Sequence, residues 1–187
     1  MVKVYEEIDP GLRAFIEAQH VFFVATAPLD TSGHVNVSPK GLDTLRVIGP
    51  QTVAYVDYVG SGAETIAHLR ENGRIVIMLC AFEGPPKILR LHGRGEVFEP
   101  QDSEYEQLRG LFPVFPSGRT IIRVSVHRIS DSCGYGVPGY TYEGQRAQLP
   151  NWADRKGAQG LADYQEDKNR VSIDDLPALR CVGQSQA

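Results

Sequence analysis

Three short stretches hold the side chains with types and spacing suited to chemistry. In Ser38-Pro39-Lys40 a lysine stands behind a proline at the end of a predicted strand. A cation at a strand end has no ladder role, and it can pair with a phosphate or with the electron-rich edge of a ring. In Asp57-Tyr58-Val59-Gly60-Ser61-Gly62 a strand runs into a Gly-Ser-Gly turn, and Ala63-Glu64-Thr65-Ile66 opens a helix. The first amides of a helix lack internal partners and its dipole makes that end positive, so a glycine-rich entry suits a phosphate. The plainer reading is an ordinary capped helix, with Ser61 as N-cap and Glu64 as the reciprocal member of a capping box. Thr65 either bonds a phosphate or is a first-turn helix residue. In Leu89-Arg90-Leu91-His92, Arg90 and His92 share one face of an apolar strand. A charge there needs a partner, which is a phosphate or a carboxylate such as Asp57 or Glu64.

The remaining reactive side chains form no pattern. His34, His68 and His127 are scattered without metal-ligand spacing, so no metal site is expected. Cys133 lies between Ser132 and Gly134 in a polar loop without a neighbouring base. Cys80, Cys133 and Cys181 are an odd set without metal-type pairing, which points to free thiols and a reducing, cytoplasmic compartment. Tyr135 and Trp152 are stacking candidates, though each packs more often than it binds.

The elements that must position these residues follow from length and pattern. The chain has 187 residues and a net charge of -4, enough for a sizeable core and without the basic surface that nucleic acid requires. It contains no apolar run of about 18 residues, the length of a membrane span, and its charged start is unlike a signal peptide. Asp9-Pro10 opens a helix with Leu12, Phe15 and Ile16 on its apolar side. Strands are predicted over 21–27, 35–41, 45–48, 52–57, 74–82, 87–98 and 120–129. Pro39 predicts fraying or a bulge at Ser38-Pro39, and Gly49-Pro50 a hairpin. Ile66 and Leu69 form the stripe of the central helix, and Gly73 ends it in a left-handed cap. A second helix is predicted over 101–111, with Tyr105, Leu108 and Leu111 on one stripe. Residues 130–138 read as a glycine-punctuated loop and Tyr140–Tyr142 as a short edge strand. Helices are expected over 148–156 and 161–169, an extended arm over 173–179 and a disordered tail over 182–187. This pattern predicts a mainly β protein, a small antiparallel barrel with peripheral helices. It divides into a barrel domain over 1–138 and a helical extension over 139–187.

Ser38-Pro-Lys-Gly41, Asp57 to Gly60, the helix to Asn72-Gly-Arg74 and Leu89-Arg-Leu-His-Gly-Arg94 together resemble the pyridoxamine 5'-phosphate oxidase-like family. The resemblance covers roughly residues 10 to 130. It implies the split β-barrel fold of that family, six-stranded and of antiparallel Greek-key type, and a homodimer with FMN at the subunit interface. It places flavin contacts on Ser38, Pro39 and Lys40, on Asp57, Gly60, Ser61, Gly62 and Thr65, and on Arg90 and His92. Glu64 and Thr65 stand where the true oxidase carries an Arg-Lys pair on the FMN phosphate, and its basic C-terminal substrate segment is absent. Ser130-Asp-Ser-Cys-Gly-Tyr-Gly is similar to an uncharacterised branch. The implied activity is flavin-dependent oxidation–reduction of a small substrate in the cytoplasm, without nucleic-acid or membrane partners and with no assignable catalytic residue. A deazaflavin-dependent reductase of the same fold, FAD as the flavin, and a non-catalytic flavin-storage protein are the alternatives.

Overall fold

The computed structural model describes residues 2–180, so Cys181 and the predicted tail over 182–187 lie outside the described residues. Eight strands form one antiparallel sheet: β1 (Lys3–Tyr5), β2 (Phe22–Thr26), β3 (Asn36–Lys40), β4 (Leu45–Gly49), β5 (Thr52–Tyr58), β6 (Arg74–Cys80), β7 (Ile88–Phe98) and β8 (Gly118–Ser132). The order is β3-β2-β6-β7-β8-β5-β4, with β1 added to β8. The sheet curls into a split barrel whose end strands, β3 and β4, are not hydrogen-bonded to each other.

Period-two alternation decides what enters the barrel. Ile75, Ile77 and Leu79 of β6 and Leu89 and Leu91 of β7 point inward and are buried, together with Val24, Tyr55, Ile122 and Val124. Their neighbours Val76, Met78, Arg90 and His92 point outward and are half-buried. The helices close the remaining openings. In α1 (Pro10–Glu17) the Asp9 carboxylate accepts the Leu12 N–H at 2.7 Å and Pro10 occupies the first turn. Helix α2 (Glu64–Asn72) buries Ile66 and Leu69 and ends at Gly73, whose φ of 70° is the left-handed cap the sequence predicts. Helix α3 (Tyr105–Arg109), through Tyr105 and Leu108, and the turn after it, through Phe112, cover the outer side of β5 and β8. Helix α4 (Gln148–Lys168) is two helical pieces broken at Gly157, close to the two short helices expected.

Several local expectations are corrected. The ladder runs unbroken from Asn36 to Lys40, so β3 neither frays nor bulges at Pro39. An edge strand uses only alternate N–H groups, and Pro39 occupies a position where none is needed. The capping box does not form. Helix α2 begins three residues after Ser61, and its N-cap, Ala63, has no side-chain bond. Helix α3 is half the expected length, and Leu111 is exposed while Phe112 takes the buried place. Ser130–Ser132 continue β8 because β7 and β1 pair with them, and Tyr140–Tyr142 form no strand. The arm behaves as expected: Ala178 and Leu179 are buried against Ala63, Ile66 and Ala67 of α2. Beyond it, Glu99 holds Arg70 and Arg180. Among the described residues no helix is long and apolar enough to cross a membrane.

Candidate functional site

The predicted residues fall into three places. The first is the barrel seam. Cross-strand partners share a face, so Ser38 and Lys40 point inward with Val24 and Phe22. Lys40 reaches across the split to β5, where its Nζ donates to the Asp57 carboxylate at 2.9 Å. The other Asp57 oxygen accepts from Arg119 Nε at 2.7 Å. Asp57 is fully buried, and burial pushes its carboxyl up, but Arg119 and Lys40 together outweigh this and carry it down to about 2. Lys40 is therefore not the solvated lysine of the plain reading: its side chain is 17% exposed and ties the end strand β3 to β5, the strand next to the other end of the open sheet. Sequence reasoning does not single out Arg119. The signal available is a charge placed at the head of a long apolar strand, after Gly118.

The second place is the junction of β3 with α2. Thr65 is buried, and its hydroxyl accepts from Asn36 Nδ2 at 2.9 Å. The same amide donates to Thr26 Oγ1, which shares a 3.0 Å bond with His68 Nδ1. Gly60 to Gly62 are covered by the chain's own C-terminal part: Asn169 Nδ2 donates to the Gly60 carbonyl, and the Ile173 N–H donates to Glu64. A methyl group on Gly62 would lie 2.2 Å from Glu64 Oε2, so this carboxylate folds back over the helix start. The seat that the spacing offered to an external anion thus has an internal one beside it.

The third place is the outer face of the sheet, with Pro39, Arg90 and His92. The register lines up Pro39, Phe23, Met78 and Arg90 across β3, β2, β6 and β7, and beside them Val37, Ala25, Val76 and His92. Arg90 Nη1 donates to Ser132 Oγ at 3.1 Å; its partner is a hydroxyl and not the expected carboxylate, because Asp57 and Glu64 lie elsewhere. The β7–β8 register slips after His92, which leaves His127 as an extra residue. Gly93 allows this slip, since a methyl group there would lie 2.4 Å from the Ser125 carbonyl. His92 and His127 then flank a groove of about 370 Å³ floored by Ala25 and Val76 and rimmed by Val35 and Arg74. Burial lowers the His92 imidazole below its ordinary value, helped by Arg128, His127 and Arg90, so the ring is neutral at neutral pH. Arg74 and His127 entered the sequence reading only as a motif boundary and a scattered histidine.

The groove's small apolar floor and cationic rim fit a planar ring carrying an anionic chain. Around it Val35, Val37 and Val4 are 72%, 62% and 53% exposed, an apolar sheet face that nothing among the described residues covers.

Comparison with known proteins agrees with this architecture. The family model described as pyridoxamine 5'-phosphate oxidase matches residues 8–133. The pyridoxamine 5'-phosphate oxidase family protein ustO of Aspergillus flavus is 38% identical over 193 residues, covering 94% of this chain and 77% of that protein. Among solved structures, a point variant of HupZ from Group A Streptococcus superposes with a TM-score of 0.52 at 21% identity, over 67% of this chain and 99% of that one. A putative pyridoxamine 5'-phosphate oxidase from Lactobacillus delbrueckii gives 0.51 at 13% identity, over 67% and 94%. At such identities the structures support the split-barrel fold alone, but the family match spans most of the chain and the curated relative nearly all of it. The chain belongs to the pyridoxamine 5'-phosphate oxidase family.

Proposed function

We propose that this protein is a homodimeric flavoprotein that binds FMN on the outer sheet face and oxidises or reduces a small substrate there. The observation that carries the reading is the groove between His92 and His127, set in an exposed apolar face of a family split barrel. Ala25 and Val76 offer a flat apolar floor for the ring. Arg74 at the rim, and Arg90 on the same face of β7, supply positive charge for the phosphate. This assignment moves the phosphate away from the α2 start, where Glu64 sits beside Gly62. A second copy packed on Val37, Phe23, Val76 and Met78 would cover the face and exclude water from the groove.

The bound flavin supplies the hydride and electron chemistry; the chain's part is to orient it and set the surrounding charge. Neutral His92 can accept or donate one hydrogen bond at the ring edge. In this reading Pro39, Arg90 and His92, which share the outer face, are the predicted residues that touch the cofactor. Lys40, Asp57 and Thr65 hold β3 in place behind it, Ser38 lies on the same inner side of the strand, and Gly60 to Gly62 lead into the helix that braces β3. Glu64 and Thr65 replace a basic pair, so pyridoxamine 5'-phosphate is not the proposed substrate. The test is titration of the apoprotein with FMN, FAD and a deazaflavin, with His92→Ala and Arg90→Ala alongside. FMN should bind with micromolar or better affinity and each substitution should weaken it about tenfold, equivalent to ~1.4 kcal/mol. Preference for deazaflavin would favour the reductase alternative, and no binding of any of the three would remove the reading.

A further inference from the structure

The barrel interior around Asp57 carries more donors than acceptors. Lys40 and Arg119 are both paired with this one carboxylate, and among the described residues no second carboxylate bonds either. The buried group therefore keeps one net positive charge, an arrangement that is costly without an anion. Three further polar groups surround it on the same face. Thr120 is the cross-strand partner of Asp57, Tyr55 lies two residues along β5, and Ser38 lies two residues before Lys40 on β3. The Arg119 Nη1, Tyr55 Oη, Thr120 Oγ1 and Ser38 Oγ atoms are all buried and have no hydrogen-bond partner among the described residues. Buried polar groups are nearly always satisfied, and four orphans around one net charge mark a ligand position.

A cavity of about 170 Å³ opens beside the seam, lined by Phe22, Gly41, Thr44 and Leu45 together with the charged side chains Glu17, Asp43 and Arg46. Phe22 is the cross-strand partner of Lys40 and packs its ring on Tyr55 at 5.5 Å; Leu45 is the cross-strand partner of Tyr55. A strap from the C-terminal extension lies over the rim. Tyr142 stacks on His20 at 3.6 Å, and Gln145 accepts from the Leu42 N–H and donates to the His20 carbonyl.

We propose that the barrel seam is a second ligand site, separate from the outer groove, that takes a small monocarboxylate. One carboxylate balances the single net charge, and its two oxygens accept from Arg119 Nη1 and from the Tyr55 and Thr120 hydroxyls. The rest of the ligand occupies the seam cavity beneath the strap. The site belongs to the apoprotein and does not rest on the flavin reading.

The experiment is calorimetric titration of apoprotein with acetate at constant ionic strength, with chloride as the inorganic arm, backed by thermal melts. Tyr55→Phe and Thr120→Val remove the orphan hydroxyls with little change of volume and leave the Asp57 ion pairs intact. Wild type should bind acetate saturably, and each variant should bind at least tenfold more weakly while melting, without acetate, no lower than wild type. Hydroxyls serving only the fold would instead lower the melt. That outcome overturns the proposal, as do the absence of saturable acetate binding and equal binding by the variants. Chloride binding as tightly as acetate, with the same loss in the variants, overturns the carboxylate assignment.

Discussion

Strand β3 separates two regions that differ in how their polar groups are used. On its inner side Lys40 is committed to Asp57, which Arg119 also binds, and all three are shielded from water. On its outer side Val37 and Pro39 lie open, in line with half-buried Phe23, Met78, Val76 and His92. Charge inside the barrel therefore acts on stability, because removing one member strands the others. Side chains on the outer face have few partners to lose, so under the proposed reading their removal changes FMN affinity more than stability. A lysine next to a proline thus reads as ligand-facing from its sequence context, yet a one-residue step in strand phase puts it on the structural side.

Substitutions that remove an inner charge should have the largest effect on folding. Asp57→Asn leaves two buried cations facing a neutral amide, and loss of one partner from a buried pair costs about 3–5 kcal/mol. Denaturant midpoints of wild type and variant measure this, and a loss below ~1 kcal/mol would break the contrast between the faces. Acid should reproduce the effect progressively. The Asp57 carboxyl is at about 2 in the fold against an ordinary value of 3.8. On acidification the unfolded chain takes up the proton first, so the contribution is intact above about pH 5 and disappears as the pH falls towards 2. Wild-type stability should fall over that window, and Asp57→Asn should show a shallower slope.

Lys40→Met comes next. Arg119 still compensates Asp57, and the methionine keeps the aliphatic stem packed, so the expected loss is about 1–3 kcal/mol, the cost of an unmade bond to a buried group. The melt should fall and the FMN affinity measured on the folded fraction should change less than threefold. A tenfold loss of FMN affinity with an unchanged melt would return Lys40 to the cofactor and move the flavin inward.

How much of this was legible in the sequence depends on the range of the interaction. The αL cap at Gly73, the Asp9-Pro10 start of α1 and the inward set of β6 and β7 depend on near neighbours, and the spacing alone gives them. The family motifs correctly imply the split barrel. The capping box failed because Glu64 instead meets Ile173, 109 residues away. Arg90 found Ser132 through a pairing of β7 with an unforeseen extension of β8. The seam triad joins β3, β5 and the head of β8, and no local window contains all three. The apolar runs over 74–82 and 120–129 look alike in sequence, but α3 buries Ile121 of β8, whereas β6 leaves Val76 and Met78 outward and half-buried.

That last difference sets the smallest stability effect and the sharpest test of the outer face. Val76 is half-buried on β6, lies across from Ala25 and His92, and lines the groove. In an isolated subunit Val76→Asp puts a carboxylate on an accessible surface, and surface changes of this kind alter stability within ~0.5 kcal/mol. In a dimer packed on this face the same carboxylate is desolvated without a partner on each side of the interface, which costs several kcal/mol. Light scattering at matched concentrations should therefore report a dimer for wild type and a monomer for Val76→Asp, with FMN affinity falling at least tenfold because the groove loses its apolar floor and its cover. The intrinsic melt of the monomeric variant should remain close to that of dilute wild type. A dimer that survives Val76→Asp would place the interface elsewhere and leave the groove as a feature of the single subunit.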